Sequence, residues 1–378
     1  MSEQSDVGPE GVTGTRRYAV PDRATTGAPR PTSHAGDRGR NRMKLRTIGA
    51  AAAALLSAGL MAPAAGATPA QSDADAAQSG ASAAPAGASA TSADFLSFRV
   101  VTTNTMLLPS VISDGLAQDV RGELIGKAPY LQGKDVVVFQ ELFDDTATEK
   151  LMDALSGYPN RTPVIGRSRD GWDATRGNYS SLPYEDGGVA IASRWPITSK
   201  MQYIFSNSCG ADTWSEKGLA YAKLTYPGSP VHVIGTHLQA DDDGCDPGEA
   251  AKVRKAQLAE MTNFVDSLKI PANERVVYAG DMNIDRHRSE YPALVSGLHA
   301  VAPAYTGHPY TSDPQTNSVA KLRYPQARRE WLDYVFYDSR HAHPASYTNS
   351  GEPVTSPLWE LDDVFYNRYS DHYPVIAS

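Results

Sequence analysis

The sequence has little cysteine and no apolar run long enough to cross a membrane. Only Cys209 and Cys245 occur among its 378 residues, and neither has a Cys or His partner at the spacing of a zinc site. The longest mostly apolar run, Ile48 to Met61, is too short for a transmembrane helix, which needs about 20 residues. These absences argue against a thiolate metal site and against a membrane-spanning segment.

The region that can fold also lacks net positive charge. The whole chain has a formal charge of −8, but residues 1–46 contain nine Lys or Arg and only five Asp or Glu. Asp73 and Asp75 are the charged residues between there and Asp94, so residues 94–378 have a net charge of −10. A surface of this sign does not attract nucleic acid at long range, although a local basic patch can override the net charge.

Residues 43–67 are predicted to be a secretory signal peptide. Arg40, Arg42, Lys44 and Arg46 precede the apolar run, and Ala65-Gly66-Ala67 closes it as a cleavage site near Ala67. Because Met43 stands at the start of this pattern, residues 1–42 are interpreted as a non-native upstream extension; the alternative is a long natural n-region. Residues 68–93 are rich in Ala, Ser, Gly and Pro and are predicted to be a flexible linker, so that one domain of residues 94–378 remains.

The two cysteines lie in polar loops of that domain. In a secreted chain an even pair is typical of one disulfide, which would close a loop of 36 residues. The alternative is two free thiols.

Short strands dominate the domain. Strands are predicted where β-branched and aromatic residues cluster between turn formers, at residues 96–103, 135–139, 187–193, 219–226, 231–236, 276–279, 331–337 and 373–377. One helix is predicted after Asp144 or Asp145. The clearest helix has Asp246 at its N-cap, Pro247 at its first position and Glu249 completing a capping box. Strands outnumber helices and no repeat is visible, so we expect a mixed β-sandwich with helices outside.

Polar residues recur where these strands end. Asp281 and Asn283 follow the strand at 276–279 and, being two apart in extended chain, are expected to face the same side. The others at or near strand ends are Asn104, Glu141, Asp186, His237, Asp333, Asp371 and His372. Each alone is more often structural, and an Asx turn is the ordinary interpretation of a lone Gly-Asp-Met-Asn. Together, carboxylates and carboxamides suit a hard cation such as Mg²⁺, beside which a histidine can deprotonate water.

These motifs resemble those of a known superfamily. In chain order they are QE at 140–141, GGVAI at 187–191, GTHL at 235–238, GDMN at 280–283, LDYV at 332–335 and SDHYP at 370–374. The ordered set is similar to the metal-dependent endonuclease/exonuclease/phosphatase superfamily over essentially all of residues 95–378. Within it, the segments at 104–109, 139–144, 236–240 and 369–375 resemble secreted bacterial neutral sphingomyelinases. The resemblance implies an α/β (α+β) fold, a four-layer α/β/β/α sandwich of two mixed β-sheets flanked by helices.

The resemblance also implies roles for single residues. Glu141 would hold a catalytic Mg²⁺ with Asn104 lining the same centre, His372 would be a further metal contact, and Mn²⁺ or Co²⁺ are candidate substitutes. As general base, His372 would take a proton from water and would be oriented by Asp333, with Asp371 beside metal and phosphate. His237, Asp281 and Asn283 would hold phosphate oxygens, and His237 would be the acid for the ceramide oxygen. The products would be ceramide and phosphocholine.

Two further sites come from the same resemblance. Asp145, Glu185 and Asp186 match a second, edge metal site, although the family usually has Asn where this chain has Asp145, which puts the metal preference of that site in doubt. A membrane-contacting hairpin would present Trp359, Val364 and Phe365. The alternative is that Trp359 and Phe365 pack the edge of the sandwich.

The expected partners are sphingomyelin or other choline phospholipids at a membrane surface, contacted peripherally by a monomer, with no nucleic acid. Three alternatives stay open: a phospholipase C that acts on other choline lipids, a secreted DNase-like nuclease on the same fold, and a catalytically silent lipid-binding module. The nuclease would use Arg323, Arg328 and Arg329 as a basic patch.

Overall fold

The strands are short and most of them are buried. The computed structural model describes residues 98–110, 116–181 and 185–378; the predicted extension 1–42, leader 43–67 and linker 68–93 lie outside this part. The strands are β1 (Val100–Leu107), β2 (Val136–Leu142), β3 (Asn160–Arg161), β4 (Ala174–Gly177), β5 (Ala190–Ser193), β6 (Ile197–Ile204), β7 (Gly218–Leu224), β8 (Val231–His237), β9 (Arg275–Asp281), β10 (Ala300–Val301), β11 (Ala304–Gly307), β12 (Asp333–Asp338), β13 (Thr348–Gly351), β14 (Trp359–Leu361), β15 (Val364–Tyr366) and β16 (Val375–Ala377).

Five α-helices accompany the strands in the described part of the chain: α1 (Gln118–Gly126), α2 (Asp145–Ala154), α3 (Glu249–Ser267), α4 (Tyr291–Gly297) and α5 (Ser318–Arg323). Among the described residues, no helix combines the length and the apolar character needed to cross a bilayer.

Two mixed seven-stranded sheets form the body of the fold. The first has the order β11-β13-β16-β1-β2-β5-β3, and the second has the order β10-β12-β9-β8-β7-β6-β4. Both contain parallel and antiparallel neighbours: β1 and β2 are parallel, as are β8 and β9, whereas β9 and β12 are antiparallel. A separate hairpin pairs β14 with β15.

Side-chain alternation explains the four layers. In β2, Val136 and Val138 face the core between the two sheets, while Val137 and Phe139 face outward, where Ile125 of α1 and Leu151 of α2 complete a second core. In β9, Val277 and Ala279 face the inter-sheet core, while Val276 and Tyr278 pack with Met261 and Phe264 of α3. Because successive side chains of a strand point to opposite faces, each strand contributes residues to the inter-sheet core on one face and to a helix-covered core on the other. The predicted α/β/β/α sandwich is confirmed.

Several predicted boundaries were wrong. The strand predicted at 96–103 is β1, which continues to Leu107, so Asn104 lies within it. Helix α3 begins at Glu249, with Gly248 as its left-handed N-cap, and not at Pro247. The Glu249 carboxylate nevertheless accepts the Asp246 backbone N–H at 2.7 Å, which is half of the predicted capping box. Asp144 does cap α2, since its side chain accepts from the Ala147 N–H.

The predicted disulfide between Cys209 and Cys245 is present, with 5.2 Å between the two Cα atoms. It joins the loop between β6 and β7 to the loop between β8 and α3. The second of these loops directly follows His237, so the crosslink lies close in sequence to a predicted site residue.

Replacing both cysteines, Cys209→Ser with Cys245→Ser, is expected to lower the free energy of unfolding by about 3–4 kcal/mol, because the loop closed by the bond gains chain entropy in the unfolded state. Guanidinium unfolding monitored by circular dichroism measures this change. The oxidised wild type is the reference and the reduced wild type is the matched control. An unchanged midpoint would show that the crosslink does not stabilise the fold.

Candidate active site

Three strands of the second sheet end side by side with polar residues on their inner face. Their inner-facing positions are apolar until the last one: His237 follows Val233 and Gly235 in β8, and Asp281 follows Val277 and Ala279 in β9. In the β-ladder, His237 pairs with Asp281, and Asp281 pairs with Asp333 of β12. The inter-sheet core therefore opens, at one end of the sandwich, into a polar recess.

Gly235 allows the two sheets to approach closely just below this recess. A Cβ atom at Gly235 would come within 2.7 Å of the Val138 side chain of the opposite sheet. This close approach is what brings the ends of β1 and β2 to the ends of β8 and β9.

Asn104 joins the two sheets at the recess. It is 1% exposed, and its Nδ2 donates to Asp281 Oδ2 at 3.1 Å and to Glu141 Oε1 at 2.8 Å. Its Oδ1 accepts the Met106 backbone N–H at 3.0 Å. In this orientation Asn104 holds the two carboxylates, and its oxygen is directed away from them.

Glu141 reaches the recess because its backbone leaves the strand conformation. Alternation from Val137 and Phe139 would direct Glu141 outward. Its φ of 57° is left-handed, which is unfavourable for a residue with a Cβ, and the pairing of β1 with β2 shifts register between Asn104 and Leu107. This irregular geometry aims the carboxylate at Asn104.

His372 and Asp333 form a hydrogen-bonded pair. His372 Nδ1 lies 2.8 Å from Asp333 Oδ2 and 3.6 Å from Asp281 Oδ2. Burial lowers the pKa of His372, but the charges of Asp333, Asp281 and Asp371 outweigh it and raise this pKa well above its usual value. An imidazole held at Nδ1 by a carboxylate leaves Nε2 to accept a proton from a reactant.

His237 has the opposite electrostatic environment. Its Nε2 lies 3.5 Å from the buried Lys217 Nζ and 3.8 Å from Asp281 Oδ2, and its Nδ1 is buried with no hydrogen-bond partner among the described residues. Burial and the charges of Lys217 and His372 lower the pKa of His237 well below its usual value. The two histidines are thus set apart in proton affinity, which separates their chemical roles.

Burial also perturbs the carboxylates. Desolvation and the charge of Asp371 raise the pKa of Glu141 to about 7. Desolvation and the charge of Asp333 raise the pKa of Asp281 to about 6. These shifts mark a cluster whose negative charge is poorly compensated by its own side chains.

Asn283 and Asp371 complete the recess in ways that strand geometry did not predict. The chain turns after β9, Asn283 has a left-handed φ of 50°, and its N–H bonds to Asp281 Oδ1 at 2.9 Å. The expectation that Asp281 and Asn283 share one side of an extended strand was therefore wrong, and the Asn283 amide instead donates to the Leu238 carbonyl. Asp371 is buried and accepts from the Ser370 hydroxyl.

The donor set fits a hard divalent cation. Ligand atoms of Asp281, Asp333 and His372 lie within 4.8 Å of one another, and Asn104 ties Glu141 to the same group. His372 Nδ1 is bonded to Asp333 Oδ2 and the Asn104 oxygen to Met106, whereas Asp333 Oδ1 is buried with no hydrogen-bond partner in the described part of the chain. The oxygens that could face a cation therefore belong to Glu141, Asp281, Asp333 and Asp371. An oxygen cluster of this kind, with excess negative charge, is what Mg²⁺ prefers.

Comparison with known proteins agrees with this geometry. The Endonuclease/Exonuclease/phosphatase family matches residues 113–372. A sphingomyelinase C from Bacillus cereus is 42% identical over 294 residues, which cover 75% of this chain and 88% of that protein. The chain belongs to the sphingomyelinase C family.

Solved structures give the same result. Sphingomyelinase C from Streptomyces griseocarneus superposes with a TM-score of 0.73 at 45% identity, covering 74% of this chain and 98% of that one. A beta toxin variant from Staphylococcus aureus with bound magnesium ions has the same TM-score at 40% identity, covering 74% and 99%.

The edge residues predicted from the sphingomyelinase resemblance lie together but are bridged by an arginine. Arg167 bonds Asp145 at 2.8 Å and Asp186 at 2.7 Å, and it also donates to the Leu142 carbonyl. The Glu185 carboxylate accepts the Asp186 backbone N–H, and Arg167 does not bond it. Since Arg167 already neutralises two of the three carboxylates, the edge metal stays a prediction and no chemical step is assigned to it.

The hairpin β14–β15 presents two of its three predicted membrane residues. Val364 and Phe365 are 50% and 63% exposed, but Trp359 is 3% exposed. Trp359 stacks on Tyr366 and donates its Nε1–H to the Arg368 carbonyl. Trp359 therefore supports the hairpin from within, which corrects the expectation that it contacts a membrane.

Sequence reasoning missed residues that act through long-range contacts. Arg121 is fully buried and donates to the backbone carbonyls of Leu116, Thr105, Met106 and Tyr369. Asn317 caps α5 and donates to the Ser370 and Asp371 carbonyls just before His372. Both fix backbone around the recess from segments distant in sequence. Lys217, which lies beside His237, was missed as well. The sequence feature that could have identified it is a lysine directly before the buried strand β7.

Millimolar Mg²⁺ is expected to raise the melting temperature of the wild type, and Glu141→Gln is expected to lose most of this rise because it removes a charged oxygen from the cluster. At about 100 times the Kd, binding stabilises a fold by about 2.7 kcal/mol. Differential scanning calorimetry with Mg²⁺ or chelator measures the rise. Glu149→Gln, an exposed change on α2, is the matched control, and equal shifts in both variants would contradict the assignment of Glu141.

Proposed function

We propose that this chain is a secreted, Mg²⁺-dependent enzyme that hydrolyses sphingomyelin to ceramide and phosphocholine. The observation that carries the proposal is the Asp333–His372 pair, joined at 2.8 Å beside the buried carboxylates of a member of the sphingomyelinase C family. Hydrolysis of a phosphodiester can be catalysed by a general base that lies next to a cation held by carboxylates.

His372 is the proposed general base. A cation held by the neighbouring carboxylates would offset the negative charge that raises the pKa of His372, so that the imidazole is neutral and Nε2 can take a proton from water. Asp333 fixes the ring through Nδ1 and stabilises the positive charge that then appears. The water oxygen then attacks phosphorus in line with the departing ceramide oxygen. The carboxylates around Glu141 would hold Mg²⁺, which would supply positive charge to stabilise the negative charge that develops on the phosphate.

His237 is the proposed group on the phosphate and leaving-oxygen side. Within the part of the chain that the structure describes, its buried Nδ1 has no hydrogen-bond partner, so a phosphate oxygen could bond to it. The lowered pKa means that His237 is neutral before substrate binds. A phosphodiester anion placed against the ring raises the pKa again, which prepares His237 to donate a proton to the ceramide alkoxide.

The substrate class requires access to a membrane. Phe365 and Val364 are exposed at the end of the β14–β15 hairpin, and we propose that they contact lipid while the enzyme stays peripheral. The leader predicted at residues 43–67 would deliver the enzyme outside the cell.

The nuclease alternative has less support. Its candidate basic patch is partly used within the protein, since Arg329 pairs with Asp313 and Arg328 pairs with Glu330. Phospholipase C activity on other choline lipids would use the same site, and hydrolysis of phosphatidylcholine tests for it.

The wild type is expected to release phosphocholine from sphingomyelin vesicles with Mg²⁺ and not with chelator. Phosphatidylcholine vesicles, whose lipid carries the same phosphocholine headgroup on diacylglycerol in place of ceramide, test backbone selectivity in parallel. His372→Ala is expected to lower the rate by about 10²- to 10⁴-fold, the usual contribution of a general base.

His341→Ala is the matched control. His341 hydrogen-bonds to the Pro271 carbonyl, which precedes the start of β9, whereas the site residue Asp281 lies at the end of that strand. It should retain wild-type activity. Release only from phosphatidylcholine would favour phospholipase C. No release from either lipid by folded wild type would contradict the proposed activity, and nicking of plasmid DNA would then support the nuclease.

A further inference from the structure

One tryptophan is far more exposed than the other four. Trp331 and Trp359 are buried, and Trp172 and Trp195 pack against the inter-sheet core. Trp214, at the end of a short 3₁₀ helix (Gly210–Trp214) between β6 and β7, is 58% exposed. An exposed indole offers a large apolar ring together with a polar N–H, a combination typical of side chains at a membrane–water interface.

The loop that carries Trp214 is firmly attached to the fold. Cys209 at its start is crosslinked to Cys245 and exchanges two hydrogen bonds with the Gln239 side chain. Asp212 accepts the Ala240 backbone N–H at 3.0 Å and pairs with Lys217 at 2.8 Å. The loop that carries Trp214 is therefore already held in place, so that little conformational entropy would be lost when Trp214 binds a partner.

This loop also belongs to the rim of the active site. Lys217, three residues after Trp214, reaches within 3.5 Å of His237 Nε2. On its other side, the Trp214 carbonyl accepts the Glu185 N–H at 3.1 Å, and Ser215 forms a β-bridge with Glu185. The loop therefore lies between His237 and the edge cluster of Glu185 and Asp186.

We propose that Trp214 is a membrane-interface anchor, separate from the hairpin that carries Val364 and Phe365. The inference rests on the proposed function: a lipid phosphodiester lies at headgroup depth, so the rim around His237 must meet the headgroup layer when the substrate reaches the site. Tryptophan suits that layer, with its ring among the upper acyl carbons and its N–H among polar groups. Two anchors on different elements would fix the orientation of the recess over the bilayer.

The test measures vesicle binding apart from chemistry. In a His372→Ala background, so that ceramide does not accumulate, binding to sphingomyelin/cholesterol vesicles is measured by sedimentation. Adding Trp214→Ala is expected to weaken binding about tenfold, the order expected for withdrawing one large aromatic side chain from an interface. Phe365→Ala should weaken it comparably, and Val120→Ala, an exposed apolar change on α1, should not.

Two further readouts show whether the effect is local. With His372 intact, Trp214→Ala should hydrolyse the water-soluble substrate p-nitrophenylphosphocholine within about twofold of the wild type, since the proposed hydrolysis uses no group of the Trp214 side chain. Brominated lipids should quench part of the wild-type tryptophan emission, and that part should be absent in Trp214→Ala. Trp214→Phe should bind at an intermediate level, which guards against a folding defect in the alanine variant.

Unchanged vesicle binding and unchanged bromine quenching in folded Trp214→Ala would overturn the proposal. A loss of soluble-substrate hydrolysis equal to the loss of binding would also overturn it, because Trp214 would then act on the site itself. Failure of the proposed function has a different signature: the wild type would hydrolyse neither substrate, whatever the vesicle comparison shows.

Discussion

The structure of the site depends on the contact that Asn104 makes between the two sheets. Its amide donates to Asp281 from the second sheet and to Glu141 from the first, so one side chain sets the distance between the carboxylates of the two halves. Without such a donor, buried carboxylates this close would repel each other and separate. In this respect, the four-layer sandwich brings polar residues of both sheets to one point.

The same arrangement holds unfavourable charge in place. Desolvation raises the pKa values of Glu141 and Asp281, and the left-handed backbone at Glu141 adds conformational cost. The stabilising contacts lie around the cluster: Arg121 and Asn317 bind backbone carbonyls, and the inter-sheet core below is filled with apolar side chains. A rigid surround that supports a strained, acidic centre is what a preorganised cation and phosphate site requires.

Much of the site follows from the sequence because alternation is a strong rule. Once Val277 and Ala279 face inward, Asp281 must face inward too, and the same reasoning applies to His237 and Asp333. Alternation fails at Glu141 and Asn283, where left-handed backbone redirects the chain, and no single-sequence rule predicts this. Lys217, Arg167 and Asn317 act through partners distant in the chain, and the burial of Trp359 depends on Tyr366 across a hairpin. These contacts are set by tertiary packing, so the local pattern could not reveal them.

In the proposed reaction, the Asp333–His372 pair activates water for attack on phosphorus. The most direct measurement is hydrolysis of sphingomyelin in water enriched in ¹⁸O, followed by mass spectrometry of both products. Attack at phosphorus predicts that the label enters phosphocholine and that the ceramide hydroxyl keeps the oxygen of the substrate. Label in ceramide, or in neither product, would contradict this account.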